Sequence, residues 1–313
     1  MIKPLLNLFL TLIFAYTANF LPIKAVAQTT VFNLKCEYLI NPIGVDAPKP
    51  RFTWQMASNK QAAKQTAYRI TVETDSAQIY VDKNSIWDSG RIKSDLNLVT
   101  YNGPQLQPFT KYFWKVEVTD QNQNISTKTA SFETGMMQTN WHGSWISDNS
   151  DLRVKPAPYF RKVFSAEKKI KFACAYIAVA GLYELYLNGK KVGNHRLDPM
   201  YTRFDRRTLY VTYDVTQAIL AGKNSIGVLL GNGWYNLQST AVWDFDKAGW
   251  RARPTFCMDL RIVYEDNSAE TVTSGKDWKT TLSPVVFNSI YTAEHYDARL
   301  EQPGWNTVNF DDR

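Results

Sequence analysis

The chain has 313 residues, a hydrophobic content of 44%, an aromatic content of 14% and a formal net charge of +7. That length holds two domains of ordinary size, and the hydrophobic fraction is that of a globular chain. The Lys and Arg residues are scattered apart from Arg203, Arg206 and Arg207, which argues against nucleic acid as a partner.

Residues 1–27 read as a secretory signal peptide. Lys3 supplies the positive start, Leu5 to Ala15 the apolar core, and Ala25-Val26-Ala27 a small-x-small cleavage site before Gln28. The apolar core is too short to span a membrane and no later segment replaces it, so an exported protein, periplasmic or extracellular, is expected. Cleavage would remove Lys3 and Lys24 and no acids, lowering the net charge to +5. Cys36, Cys174 and Cys257 are far apart and odd in number, with no zinc-ligand spacing. They read as structural residues, Cys174 and Cys257 as buried thiols within apolar runs.

Residues 28–135 form a first block of short strands punctuated by turn residues, with no convincing helix. Arg51 to Gln55 and Ala67 to Val72 alternate with period two, and Ser58 to Thr66 is a polar loop. Ile86 to Gly90 ends at a turn. Leu106, Pro108 and Thr110 stand just upstream of Tyr112, which opens the strand Phe113 to Val118; this is the pattern of a tyrosine corner. With Trp54 on an early strand, the block looks like a fibronectin type III domain.

Residues 136–143 read as a short polar connector, and 144–313 as a second all-β block. Tyr159 to Phe164 and Cys174 to Ala180 are strands. Leu182 to Leu187 alternates and turns at Asn188-Gly189, a type I′ hairpin signal. Asn224 to Leu230 is a buried strand leading into Gly231-Asn232-Gly233-Trp234, and Phe256 to Tyr264 pairs with Glu270 to Ser274 as a hairpin. The expected fold is therefore all-β: a fibronectin type III-like sandwich followed by a jelly-roll, galactose-binding-like sandwich.

At Gly181-Leu-Tyr-Glu184, Leu187-Asn-Gly-Lys190, Tyr213-Asp-Val-Thr216, Leu230-Gly-Asn-Gly-Trp234 and Tyr296-Asp-Ala-Arg299 the second block resembles the N-terminal sandwich of bacterial α-L-rhamnosidases. The first block, with Trp87-Asp-Ser-Gly90 and Phe132-Glu-Thr-Gly135, is similar to the domain that precedes it in that family. The resemblance implies an inverting glycoside hydrolase acting on terminal α-L-rhamnose. It also implies that the catalytic carboxylates lie on an (α/α)-barrel C-terminal to the part present, so a chain stopping at Arg313 is expected to lack catalysis alone. An inverting enzyme needs two acids roughly 6.5–9.5 Å apart across the sugar.

Glu294 and Asp297 form the one tight carboxylate pair with a nearby His, His295, but an extended segment would turn them to opposite faces. The carbohydrate-binding candidates are Asn232, Trp234, Tyr235 and Trp243: rings to stack on a sugar, an amide to bond hydroxyls, glycines to shape the loop. The alternative is a Trp packed beneath a loop with Asn232 capping a turn. Asp198, Arg203, Asp205, Arg206 and Arg207 can bind hydroxyls, take calcium through the carboxylates, or simply pair with one another. Trp243, Asp244, Asp246 and Trp250 extend the same surface by composition. Expected partners are rhamnose-containing glycans and a downstream catalytic domain. A stand-alone carbohydrate-binding module and a structural or adhesive protein are the other classes that fit.

Overall fold

The computed structural model describes residues 29–81, 85–240 and 243–313; the signal peptide expected over 1–27 lies outside them. In the first sandwich, strands β1 (Thr30–Cys36), β2 (Arg51–Ala57) and β6 (Leu98–Thr100) make one sheet. The facing sheet is built from β3 (Gln65–Glu73), β4 (Trp87–Asp88), β5 (Ile92–Lys93), β7 (Lys111–Asp120) and β8 (Ile125–Glu133). Phe52, Trp54, Trp114 and Phe132 fill the space between them, with the Phe52 and Trp114 rings 4.5 Å apart. The buried indole of Trp54 donates to Gln65 Oε1 at 2.9 Å. The tyrosine corner is formed: the Gln107 backbone N–H donates to the Tyr112 hydroxyl at 2.8 Å, tying the loop to the strand that follows.

The second sandwich sets β13 (Tyr210–Asp214), β10 (Ile170–Ala180), β15 (Thr255–Tyr264) and β16 (Ala269–Thr273) against a five-stranded sheet. That sheet runs in the order β12 (Lys190–Lys191), β11 (Leu182–Leu187), β14 (Gly222–Gly231), β9 (Pro158–Ala166) and β17 (Lys279–Leu282). A core of Phe160, Ile177, Leu185, Val228, Phe256 and Leu260 lies between the layers. Asn188 and Gly189 both take positive φ, 50° and 83°, as a type I′ turn requires. A separate hairpin, β18 (Val285–Ser289) with β19 (Ala293–Tyr296), stands beside the five-stranded sheet. The three cysteines are free and buried; burial raises the Cys257 thiol to about 11 and, with Glu37 adding to it, the Cys36 thiol to about 12.

The segment 136–143, expected to be a polar connector, is docked instead. Met136 is buried with Cys174 and Tyr176, and Phe109, Trp141 and Tyr210 pack around them. The Tyr210 hydroxyl donates to Asp46 of the first sandwich at 2.6 Å and accepts from the Met136 N–H at 3.1 Å. Asp259, buried on β15, accepts the N–H groups of His142 and Gly143 at 3.0 and 2.8 Å. These carboxylates satisfy backbone donors that a buried connector would otherwise leave unpaired.

Candidate functional site

The five-stranded sheet turns one face to the core and the other outward. Along β11, Tyr183, Leu185 and Leu187 point inward while Leu182, Glu184 and Tyr186 are partly exposed, as period two dictates. Their pairing partners on β14 include Leu229 and Gly231, and Leu229 pairs in turn with Tyr159 on β9. The β18–β19 hairpin walls this outer face, and a groove of about 720 Å³ lies between them. Glu184, in its floor, would be pushed up by burial, but Lys191, the Tyr186 hydroxyl at 2.5 Å and Arg196 outweigh that and hold its carboxyl below the usual range.

One end of the groove is closed by the loop after β14. Gly233 sits there with a φ of 52°, and a Cβ would lie 3.0 Å from Leu182, so glycine suits both the backbone and the space. Asn232 is 1% exposed. Its Nδ2 donates to the Asn288 carbonyl at 2.9 Å, its Oδ1 accepts from Asn236 at 2.9 Å, and its backbone N–H donates to Asn288 Oδ1 at 2.7 Å. The amide expected to face sugar hydroxyls thus latches the loop to the β18–β19 hairpin. Replacing Asn232 with alanine should cost about 1–3 kcal/mol by leaving buried polar partners unpaired, read as a lower denaturation midpoint.

Trp234 is the hub of an aromatic cluster. Its ring lies 5.4 Å from Tyr291, 5.6 Å from Phe245, 6.0 Å from Trp243 and 6.2 Å from Tyr201. Trp234 itself is half-buried, while Trp243 is 62%, Tyr291 48% and Tyr201 44% exposed. Tyr235 is half-buried 5.1 Å from Phe204, which in turn lies 5.8 Å from Tyr201. Of the four candidates, Trp234 and Trp243 thus share the cluster directly and Tyr235 joins it through Phe204, but the accessible rings are Trp243 together with Tyr201 and Tyr291. Those two were missed because they lie far away in sequence. Phe245 adjoins the aromatic-acidic loop and could have been included from composition.

The carboxylates among the charged candidates already have partners. Asp198 accepts from His195 at 2.8 Å and Tyr213 at 3.3 Å, and Asp205 takes both arms of Arg203 at 2.8 and 3.0 Å. Among the described residues no three His, Cys, Asp or Glu side chains converge around one point. Glu294 lines the groove, whereas Asp297 is bound by Arg299 at 2.7 and 2.9 Å, which holds its carboxyl below the usual range. His295 packs on Phe287 at 5.2 Å.

The architecture is that of a tandem of an immunoglobulin-like sandwich and a jelly-roll sandwich, the second carrying a groove and an aromatic rim. The profile described as Rha78A-like, N-terminal immunoglobulin domain matches residues 31–138, and the one described as Alpha-L-rhamnosidase N-terminal domain matches 168–313. The chain thus carries the two N-terminal domains found in the α-L-rhamnosidase family. It is 32% identical over 302 residues to an α-L-rhamnosidase of Formosa agariphila, covering 87% of this chain and 32% of that protein. An α-L-rhamnosidase of an Alteromonas species is 33% identical over 292 residues, covering 88% and 31%. Among solved structures, the Dictyoglumus thermophilum α-L-rhamnosidase matches with a TM-score of 0.81 at 39% identity, over 90% of this chain and 33% of that one. The Streptomyces avermitilis enzyme, solved with L-rhamnose, shares the fold with a TM-score of 0.84 at 23% identity, over 91% and 44%. The chain spans about a third of the length of the curated relatives it matches first.

Proposed function

We propose that the chain is the non-catalytic N-terminal portion of an exported α-L-rhamnosidase, which supports a downstream catalytic domain and binds rhamnose-containing glycans. The observation that carries the binding part is the rim of Tyr201, Trp243 and Tyr291, exposed around a half-buried Trp234. Exposed rings held rigid by a packed one offer the flat faces on which sugar C–H groups stack, at little cost in side-chain entropy. Catalysis is assigned elsewhere because a general acid needs a raised pKa. Asp297, half of the acid pair that flanks His295, is instead drawn down by Arg299.

Calorimetric titration with methyl α-L-rhamnoside, with and without chelator, tests this reading. Binding is expected in both conditions, and Trp243→Ala should weaken it about tenfold, or ~1.4 kcal/mol. Saturating ligand without any heat would remove the binding role. Steady turnover of p-nitrophenyl α-L-rhamnoside by this chain would remove the non-catalytic one.

A further inference from the structure

Resting on that carbohydrate reading, we infer that the groove between the five-stranded sheet and the β18–β19 hairpin is a saccharide cleft. In it an uncharged sugar residue lies over Leu182 and Leu229 while its neighbour stacks on the aromatic rim. Four properties point to this occupant. At about 720 Å³ the groove is in the range of small-molecule sites, roughly 300–1,000 Å³, and holds more than one sugar ring. Its floor alternates aliphatic and phenolic groups: Leu182 and Leu229 beside Tyr159 and Tyr186. A sugar presents the same alternation, C–H faces flanked by hydroxyls.

The charges form the third. Glu184 pairs with both Lys191 and Arg196, and Glu294 across the groove offsets the second cation, so the groove offers no net positive charge to an anionic ligand. Glu294, on the exposed side of β19, supplies a carboxylate at the lip, the group best able to accept two vicinal hydroxyls. The fourth is continuity. Gly233 and Ile290 line the groove, and their chain neighbours Trp234 and Tyr291 are in ring contact at 5.4 Å, so groove and rim are one surface. Segments that carried the family resemblance meet there: Gly181 to Glu184, Leu230 to Trp234, and Tyr296, the first residue of Tyr296-Asp-Ala-Arg299.

The experiment uses the intact chain with leucine methyl labels, titrated with methyl α-L-rhamnoside and with a rhamnose trisaccharide. Both probes should shift the Leu182 and Leu229 methyl signals, and the trisaccharide should bind more tightly. Glu294→Ala, an exposed position, should weaken trisaccharide binding at least tenfold, and Leu229→Trp, which fills the floor, should abolish it. Near-unchanged melting temperatures would show that neither variant acts through folding. Binding that depends on Trp243, leaves both leucine methyls unmoved and survives Leu229→Trp would overturn the cleft while leaving the carbohydrate reading intact. Absence of binding to either probe would overturn both. Protection of the methyls by a catalytic-domain polypeptide with no response to sugar would assign the groove to protein docking and overturn the inference.

Discussion

Arg253→Met is expected to lower the free energy of unfolding by about 3–5 kcal/mol at neutral pH, because it strands a buried charge. Arg253 and Asp148 are each 4% exposed at the side chain and meet at 2.5 Å between Nη2 and Oδ2, with a second contact at 3.1 Å. The same guanidinium donates to the Val154 and Pro156 carbonyls at 2.9 and 3.0 Å, so it satisfies a whole loop as well as one acid. Burial alone would raise the Asp148 pKa, but the Arg253 hydrogen bonds and charge reverse this, and the folded value lies below the ordinary one.

A depressed carboxyl contributes stability that is present above the unfolded pKa, about 3.9, and is lost as pH falls through the folded value. In the variant the sign inverts: an unpaired buried carboxyl has a raised pKa, so its penalty grows as pH rises through that value. The deficit relative to the parent should therefore be largest near pH 7 and shrink toward pH 4, a trend that denaturant titrations at the two pH values would read. A double variant with Asp148→Leu should recover most of the loss. An equal deficit at both pH values would show that the guanidinium acts through its carbonyl contacts rather than through the ion pair.

Features governed by near neighbours were readable from the chain. The Tyr112 corner closes over five residues, the Asn188-Gly189 turn over two, and the alternation of Leu182 to Leu187 needs only the strand's own period. The apolar run from Cys174 to Ala180 reads as a strand, and it is buried on both faces because Phe109 of the first sandwich and Met136 and Trp141 of the connector pack on Cys174 and Tyr176. What was not readable depends on long-range partners. Asn232 looks like a ligand-facing amide until Asn288, fifty-six residues on, takes its hydrogen bonds. Nothing local distinguishes Asp148 from a surface acid until Arg253 arrives from across the sandwich. The rim was half legible for the same reason: Trp234 and Trp243 fall on one loop, while Tyr201 and Tyr291 come from segments on either side of it in the chain.

Arg161→Met should release the segment over residues 302–312 from the sheet, at a cost of about 3 kcal/mol or more. Arg161 faces outward on β9, yet its side chain is only 7% exposed because that segment lies over it. Its Nε donates to the Trp305 carbonyl and Nη2 to the Thr307 carbonyl, both at 2.8 Å, while Asp312 pairs with Nη1 and the Phe310 ring lies 5.5 Å from the guanidinium. Trp305 then stacks on Tyr159 at 3.9 Å and covers Gly227, where a Cβ would come within 2.7 Å of the indole. Methionine keeps some apolar cover but leaves two carbonyls without their donor and the Asp312 carboxylate held by Lys279 alone, at 2.7 Å. The loss is confined to the docking energy of this segment, since the sandwich core beneath does not depend on it. Amide exchange at Trp305 and Thr307 should therefore accelerate by two orders of magnitude or more, with a smaller fall in global melting temperature. Because Tyr159 also lines the groove, undocking Trp305 frees a ring of the cleft floor, and saccharide affinity should fall with it. Unchanged exchange at those two amides would show that the Trp305–Tyr159 stack, rather than Arg161, holds the segment in place.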